Sequence, residues 1–324
     1  MKKTEKKTTK TREKFHVKLG LPTNNSLLFV LIGMLCLLFT LGLFALGKHA
    51  IHALQRPIPA SVRKSLETVP EDIKKTIVQE QKTASISATL HIPILMYHYV
   101  EYVQDKKDTE RQKLNVNPNV FEEQIQTLLS AHYTFITAKD LGDILDGKIP
   151  IPQNPIMLTF DDGHWDLDTN VLPILKKYKV IATAYIVPGF IGTNTDSLTP
   201  SEMQDVVNSG LIDIGAHTMH HISLKGKPLA TVAYEVNQSK TVLENTYHIN
   251  VYAFAYPYGT FDKQAISVVK QAGFTTAAST IAGNEQNNQN RFILFRVRPG
   301  YLTGQALLNY LNYRWPSYKY DSGE

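Results

Sequence analysis

The stretch Ile156-Met157-Leu158-Thr159-Phe160-Asp161-Asp162-Gly163 runs from apolar and β-compatible residues straight into two carboxylates and a glycine. An apolar run of this length reads as a buried strand, and Gly163 is the turn signal that closes it. Two like charges at the mouth of a buried strand are electrostatically costly. A partly dry site pushes one carboxyl pKa up unless a cation neutralises the pair. A metal ion held by one Asp, with the other left as a base, resolves the conflict. Taken alone, Asp-Asp-Gly more often marks a solvated turn. The remainder of the chain favours the first reading.

Outward from this stretch, similar apolar runs recur: Ile92–Tyr97, Ile181–Val187, Ile212–Gly215, Val251–Tyr256, Thr275–Ser279 and Phe292–Val297. Between them lie helix candidates at Phe121–Ala131, Leu167–Tyr178, Pro200–Asn208, Thr231–Tyr247 and Lys263–Ala272. Strands alternating with helices imply βα units and a parallel sheet. Seven such runs without a GxGxxG fingerprint predict a distorted (β/α)7-type barrel, an α/β fold, rather than an open dinucleotide-binding sheet.

In such a barrel, chemistry gathers at the C-terminal ends of the strands. His98 follows the first run, Asp161 and Asp162 the second, His217 the fourth, and Tyr256-Pro257-Tyr258-Gly259 ends the fifth. Several independent strands thus deliver polar groups to one rim. His217-Thr218-Met219-His220-His221 places two imidazoles four residues apart, a spacing that puts both on one side of a helical turn. Imidazole with carboxylate suits zinc or a similar borderline ion, and three protein ligands leave room for water and substrate. His220 has the poorer spacing and is assigned no role.

Thr159-Phe160-Asp161-Asp162-Gly163, His217-Thr218-x-x-His221 and Tyr256-Pro257-Tyr258-Gly259 resemble the first three motifs of the polysaccharide deacetylases, carbohydrate esterase family 4. The resemblance covers roughly residues 91–300. Pro93-Ile94-Leu95-Met96-Tyr97-His98 is similar to the opening of the subgroup acting on poly-N-acetylglucosamine and related wall polymers. The resemblance implies Asp162, His217 and His221 as metal ligands and Asp161 as general base toward a metal-bound water. It implies the backbone N–H of Tyr258 as an oxyanion donor, with Pro257 and Gly259 shaping the turn. Acetate and a free glucosamine amine would be the products.

The chain departs from the family in two places. An Arg often found near the start of the third motif is replaced by Ala255, so Arg296 or Arg298 is expected to orient Asp161 from another strand. The late family histidine that protonates the leaving amine has no match, since no histidine follows His248. His98 is the expected substitute, ahead of His164 and His132. Trp165, Tyr256, Pro257 and Arg296 are the expected substrate-side residues; Tyr99 and Tyr301 are further aromatics that could stack on sugar.

Charge adds one exclusion. Residues 1–18 hold eight Lys/Arg against two acids, a net +6, so the rest of a chain with net charge +5 is −1. A nearly neutral body argues against nucleic acid as a partner. Leu27 to Gly47 carries no charge over 21 positions, long enough to span a bilayer. The sole cysteine, Cys36, falls in this segment. Basic residues precede the segment, which keeps them cytoplasmic. The expected organisation is a basic tail (1–26), an uncleaved membrane anchor (27–47), an extracellular stalk (48–90) and a catalytic domain (91–324) facing outward. The expected partners are an N-acetylglucosamine polymer and the plasma membrane, with no protein partner. The alternatives are an O-acetyl esterase on wall polymer and a catalytically silent glycan-binding barrel.

Overall fold

A computed structural model describes residues 89–105, 107–316 and 318. The tail (1–26), the anchor (27–47) and residues 48–88 of the stalk lie outside the described residues. Among the described residues, no helix is long and apolar enough to cross a membrane.

In chain order the elements begin with β1 (Leu90–His91), β2 (Ile94–Tyr97), α1 (Thr109–Leu114), α2 (Pro118–Ser130), β3 (Thr134–Ile136), α3 (Ala138–Leu145) and β4 (Pro155–Asp162). A single π-helical turn, Leu167–Val171, leads into α4 (Leu172–Tyr178). Then follow β5 (Ala182–Ile186), α5 (Pro200–Asn208), β6 (Ile212–Ala216), α6 (Leu229–Tyr247), β7 (Ala253–Ala255), α7 (Lys263–Gln271), β8 (Thr276–Ala282), β9 (Glu285–Gln286), β10 (Leu294–Arg296) and α8 (Gly304–Leu311). The helices start where local chemistry allows. Thr199 caps α5 in a box with Glu202 and puts Pro200 in the first turn; Asp262 caps α7 by accepting from the Ala265 N–H.

The strands run β2-β4-β5-β6-β7-β8-β10, all parallel, with β3 added beside the start of β4. A parallel bridge between Leu95 and Val297 joins β10 back to β2, and the Met96 N–H donates to the Val297 carbonyl at 2.9 Å. The ring is therefore a near-closed seven-stranded parallel barrel, the expected architecture.

Strand alternation sorts the core into two parts. Leu95, Leu158, Phe160, Ala184 and Phe254 pack outward with the helices. Ile94, Met157, Tyr185, Ala255 and Leu294 pack inward, together with Ile136, Leu141, Ile144 and Leu145 from the β3–α3 segment. Helix α3 thus plugs the N-terminal end of the barrel. Its Gly142 packs so tightly that a Cβ there would sit 2.8 Å from Thr275 Oγ1. With that end filled by apolar side chains, the polar residues are confined to the opposite rim.

Candidate active site

Asp161 and Asp162 close β4 at this rim. Inward alternation from Met157 through Thr159 carries Asp161 into the barrel, where it is buried. Arg296, on β10, is also buried and meets it with two parallel bonds, Nη1 to Oδ1 and Nη2 to Oδ2, each 2.7 Å. Arg296 also donates from Nη1 to Thr159 Oγ1 (3.1 Å) and from Nε to the Ser279 carbonyl (2.8 Å). Burial alone would raise the Asp161 pKa. The Arg296 charge and its hydrogen bonds outweigh burial and hold it below the usual carboxylate range.

Asp162 turns away from Asp161 on a left-handed backbone (φ 77°). Its Oδ1 lies 3.3 Å from His217 Nε2 and 3.1 Å from His221 Nε2, yet this buried oxygen has no aligned hydrogen-bond partner. Ligand atoms of Asp162, His217 and His221 all fall within 4.8 Å of one another. His217 Nδ1–H donates to the Ala255 carbonyl at 2.7 Å, which leaves the Nε2 lone pair facing Asp162. An oxygen with no donor between two imidazole nitrogens is what a divalent cation would satisfy, so the donor set fits a metal. The buried Asp162 carboxyl is held well below its ordinary pKa by His164, His217 and His221, which outweigh burial. Burial pushes the His217 imidazole down, but Asp162 and Asp161 outweigh it and the net shift is upward.

The two imidazoles meet by a route other than the helical turn their spacing suggests. Residues 218–220 form an irregular turn, with left-handed backbone at Thr218 (φ 60°) and His221 (φ 56°). Left-handed conformation is rare for a β-branched residue such as Thr218, and it concentrates at this site in Asp162, Thr218, His221 and Tyr258. His220 points outward and pairs through Nδ1 with Glu235 Oε1 at 2.9 Å.

His98 sits at the end of β2, partly buried, with Nδ1 lacking a hydrogen-bond partner. Burial lowers its pKa, while the nearby carboxylates of Asp161 and Asp162 act to raise it. Tyr258 has left-handed backbone (φ 59°), is 64% exposed and brings its ring to 4.7 Å from His221. Trp165 lines a groove with Tyr102, Arg111, Asn170 and Asp196.

Three expected residues are placed differently. Tyr256 is fully buried among core aromatics, with its hydroxyl donating to the Phe292 carbonyl at 3.1 Å, so it cannot stack on a sugar. Arg296 is likewise sealed inside the barrel; it orients Asp161 and has no surface to offer substrate. His132 is exposed just after α2, at the barrel's other end, where Tyr133 and Thr134 enter β3. Pro257 is buried beneath the Tyr258 turn. Arg298 lies exposed on the rim and does not form the Asp161 pair.

His164, a weaker acid candidate in the sequence, lies beside the candidate ligand Asp162. Its Nε2 is 3.3 Å from Asp162 Oδ2. The only signal was position, two residues past Asp162. Asp166, buried with its pKa pushed up to about 6 by burial, accepts a short hydrogen bond from the Val100 N–H and ties this segment to the end of β2.

Residues 148–277 match the family model described as polysaccharide deacetylase. YxkH of Bacillus subtilis is 27% identical over 265 residues, covering 79% of this chain and 89% of its own length. The poly-β-1,6-N-acetyl-D-glucosamine N-deacetylase of Staphylococcus aureus (strain MRSA252) is 28% identical over 221 residues, 64% of this chain and 74% of that protein. Among solved structures, the Streptococcus pyogenes deacetylase PplD in complex with acetate superposes with a TM-score of 0.63 at 26% identity, covering 69% of this chain and 100% of that one.

Proposed function

We propose that this chain is a metal-dependent N-deacetylase of an N-acetylglucosamine polymer, a reading supported by its likeness to polysaccharide deacetylases. The observation that carries this reading is the pairing at one rim of a buried Asp161–Arg296 couple with the Asp162, His217 and His221 ligand set. Zinc fits the ligand types best. Bound there, it would lower the pKa of a coordinated water toward about 7 and polarise the acetamide carbonyl.

The remaining work falls to the protein. Asp161 stays ionised because Arg296 faces both its oxygens, so it is ready to accept a proton from the attacking water. Arg296 also prevents the carboxylate from rotating out of line. The Tyr258 N–H, presented on a left-handed turn held by Pro257 and Gly259, stabilises the negative charge that develops on the carbonyl oxygen. His98, on the neighbouring strand, supplies the proton to the departing amine in place of the absent late histidine. Trp165 and the exposed Tyr258 ring offer faces for neighbouring sugars.

Residues 27–47 would hold this domain on the outer face of the plasma membrane, where a surface polymer is within reach. The test is acetate release by the full chain from poly-β-1,6-N-acetylglucosamine and from peptidoglycan. Asp161→Asn is expected to abolish release while metal remains bound. Turnover by that variant, or release from O-acetyl esters alone, would refute the proposal.

A further inference from the structure

We propose that Thr159 is a positioning residue for the general base: its hydroxyl fixes the guanidinium of Arg296, and through it the plane of the Asp161 carboxylate. The inference rests on the deacetylase reading above, in which Asp161 takes the proton of the attacking water. It gives a task to a side chain outside the ligand set.

Thr159 lies on β4 two residues before Asp161, and so on the same inward face of the barrel. Its hydroxyl donates to the Leu95 carbonyl of β2 at 2.8 Å and accepts from Arg296 Nη1 of β10 at 3.1 Å. One oxygen thereby links three strands, at the seam where β10 returns to β2 through the Leu95–Val297 bridge. The Leu95 carbonyl decides which way the hydroxyl hydrogen points. With that hydrogen committed, a lone pair is left for the arginine. The side chain is fully buried, so bulk solvent does not compete for either position.

A fork of two bonds fixes a plane only if the fork itself is held. Arg296 is a long, rotamer-rich side chain, and the Asp161 pair alone would let the two groups swing together. Two further bonds prevent this. The Ser279 carbonyl takes the Nε–H at 2.8 Å, and Thr159 takes the second Nη1–H on the opposite edge of the guanidinium. The Tyr185 ring centroid lies 5.6 Å from the guanidinium carbon, and Gly215 leaves room for that ring: a Cβ there would be 2.5 Å from Tyr185 Cδ1. Ser279 acts through its backbone. Among the described residues, Thr159 is the one side chain other than Asp161 that hydrogen-bonds Arg296. Valine has nearly the same shape and would fill the site, but it offers Nη1 nothing.

Two matched pairs isolate the hydroxyl: wild type against Thr159→Val, and Thr159→Ser against Thr159→Ala. The full chain is assayed for acetate release from poly-β-1,6-N-acetylglucosamine and from peptidoglycan, with Zn2+ content and thermal unfolding measured alongside. Val and Ala are expected to lower kcat by about 10- to 100-fold, the cost of a misaligned catalytic group, with KM and Zn2+ content unchanged. Ser keeps the oxygen and frees it among three staggered positions, so it should stay within about threefold of wild type. The Ser–Ala comparison stands even where Val fails to fold. Thr159→Val is also placed in the Arg296→Lys background. Because Thr159 acts through Arg296, it should cost less than about threefold further there. A hydroxyl that merely secured the strands would lower the unfolding temperature and leave kcat alone. Unchanged kcat in Val and Ala, a loss in Ser equal to that in Ala, loss of Zn2+, or full additivity in the double variant overturns the proposal while the deacetylase reading stands. Absence of acetate release by wild type from both polymers overturns both.

Discussion

Arg296 faces Asp161 edge to edge, Nη1 on Oδ1 and Nη2 on Oδ2 at 2.7 Å each, with both side chains buried. The fork fixes the plane of the carboxylate as well as its charge. Lysine supplies a point charge and cannot do this. Arg296→Lys is therefore expected to lower acetate release by about 100-fold, the cost of a misplaced catalytic group. Arg296→Met leaves a buried, unpaired carboxylate and should destabilise the fold by about 3–5 kcal/mol. Thermal unfolding and acetate assays on both variants check this; wild-type stability in the Met variant would contradict the pairing.

His98 lies near both carboxylates with one ring nitrogen unpartnered. If His98 is the proposed proton donor to the leaving amine, His98→Phe should lower kcat by about 100- to 10,000-fold. Since it is not among the ligand set, metal content should not change. Acetate kinetics paired with metal analysis would decide; a variant that loses metal along with activity would assign His98 to the ligand set instead.

Gly259 has φ +66°, and a Cβ there would meet Thr280 Oγ1 at 2.0 Å. Gly259→Ala must displace the turn that presents Tyr258. The strained backbone alone costs about 1–3 kcal/mol, and loss of an oxyanion donor costs about 100- to 1,000-fold in kcat. A drop in kcat with little change in KM is the expected signature. Thermal unfolding separates the two effects.

Asp213, on β6, has its pKa pushed up to about 6 by burial, which outweighs a weak bond from the Lys139 N–H. Its folded pKa lies above the ordinary 3.8, so the folded state binds the proton more tightly. Stability is accordingly lost as pH rises from about 4 to about 6. Asp213→Asn removes that loss. It should be more stable than wild type at pH 7–8, on the order of 1–3 kcal/mol, with the gap vanishing below pH 4. Chemical unfolding at several pH values measures it; a gap that widens toward acid would reverse the assignment.

The barrel was legible because parallel strands buried on both faces leave long apolar runs, as in Ile156–Phe160, and because α5 and α7 carry sharp start signals at Thr199-Pro200 and Asp262. The β3–α3 plug was missed. Thr134–Ile136 is only three residues long, and α3 turns its apolar face to the barrel's end rather than to a neighbouring helix. Side-chain direction was the harder problem at the site. Tyr256 opens the third motif and Arg296 closes the last apolar run, but strand alternation sends Arg296 into the barrel and packs Tyr256 in the core. The His217–His221 pair was found by spacing, although an irregular turn with left-handed residues brings the rings together. His164 gave only a positional signal, because the Tyr99 stack and the Asp196 contact that fix its ring come from residues distant in the chain.

The Leu95–Val297 bridge sets the order in which a working enzyme can come into being. Asp161 emerges from the ribosome well over a hundred residues ahead of Arg296, which bonds to both its oxygens. Until the last strand arrives, the nascent domain carries an unescorted acid at its centre and an open seam beside His98. Truncation that withholds this final stretch would leave Asp162, His217 and His221 in the chain and Asp161 without its buried Arg296 partner.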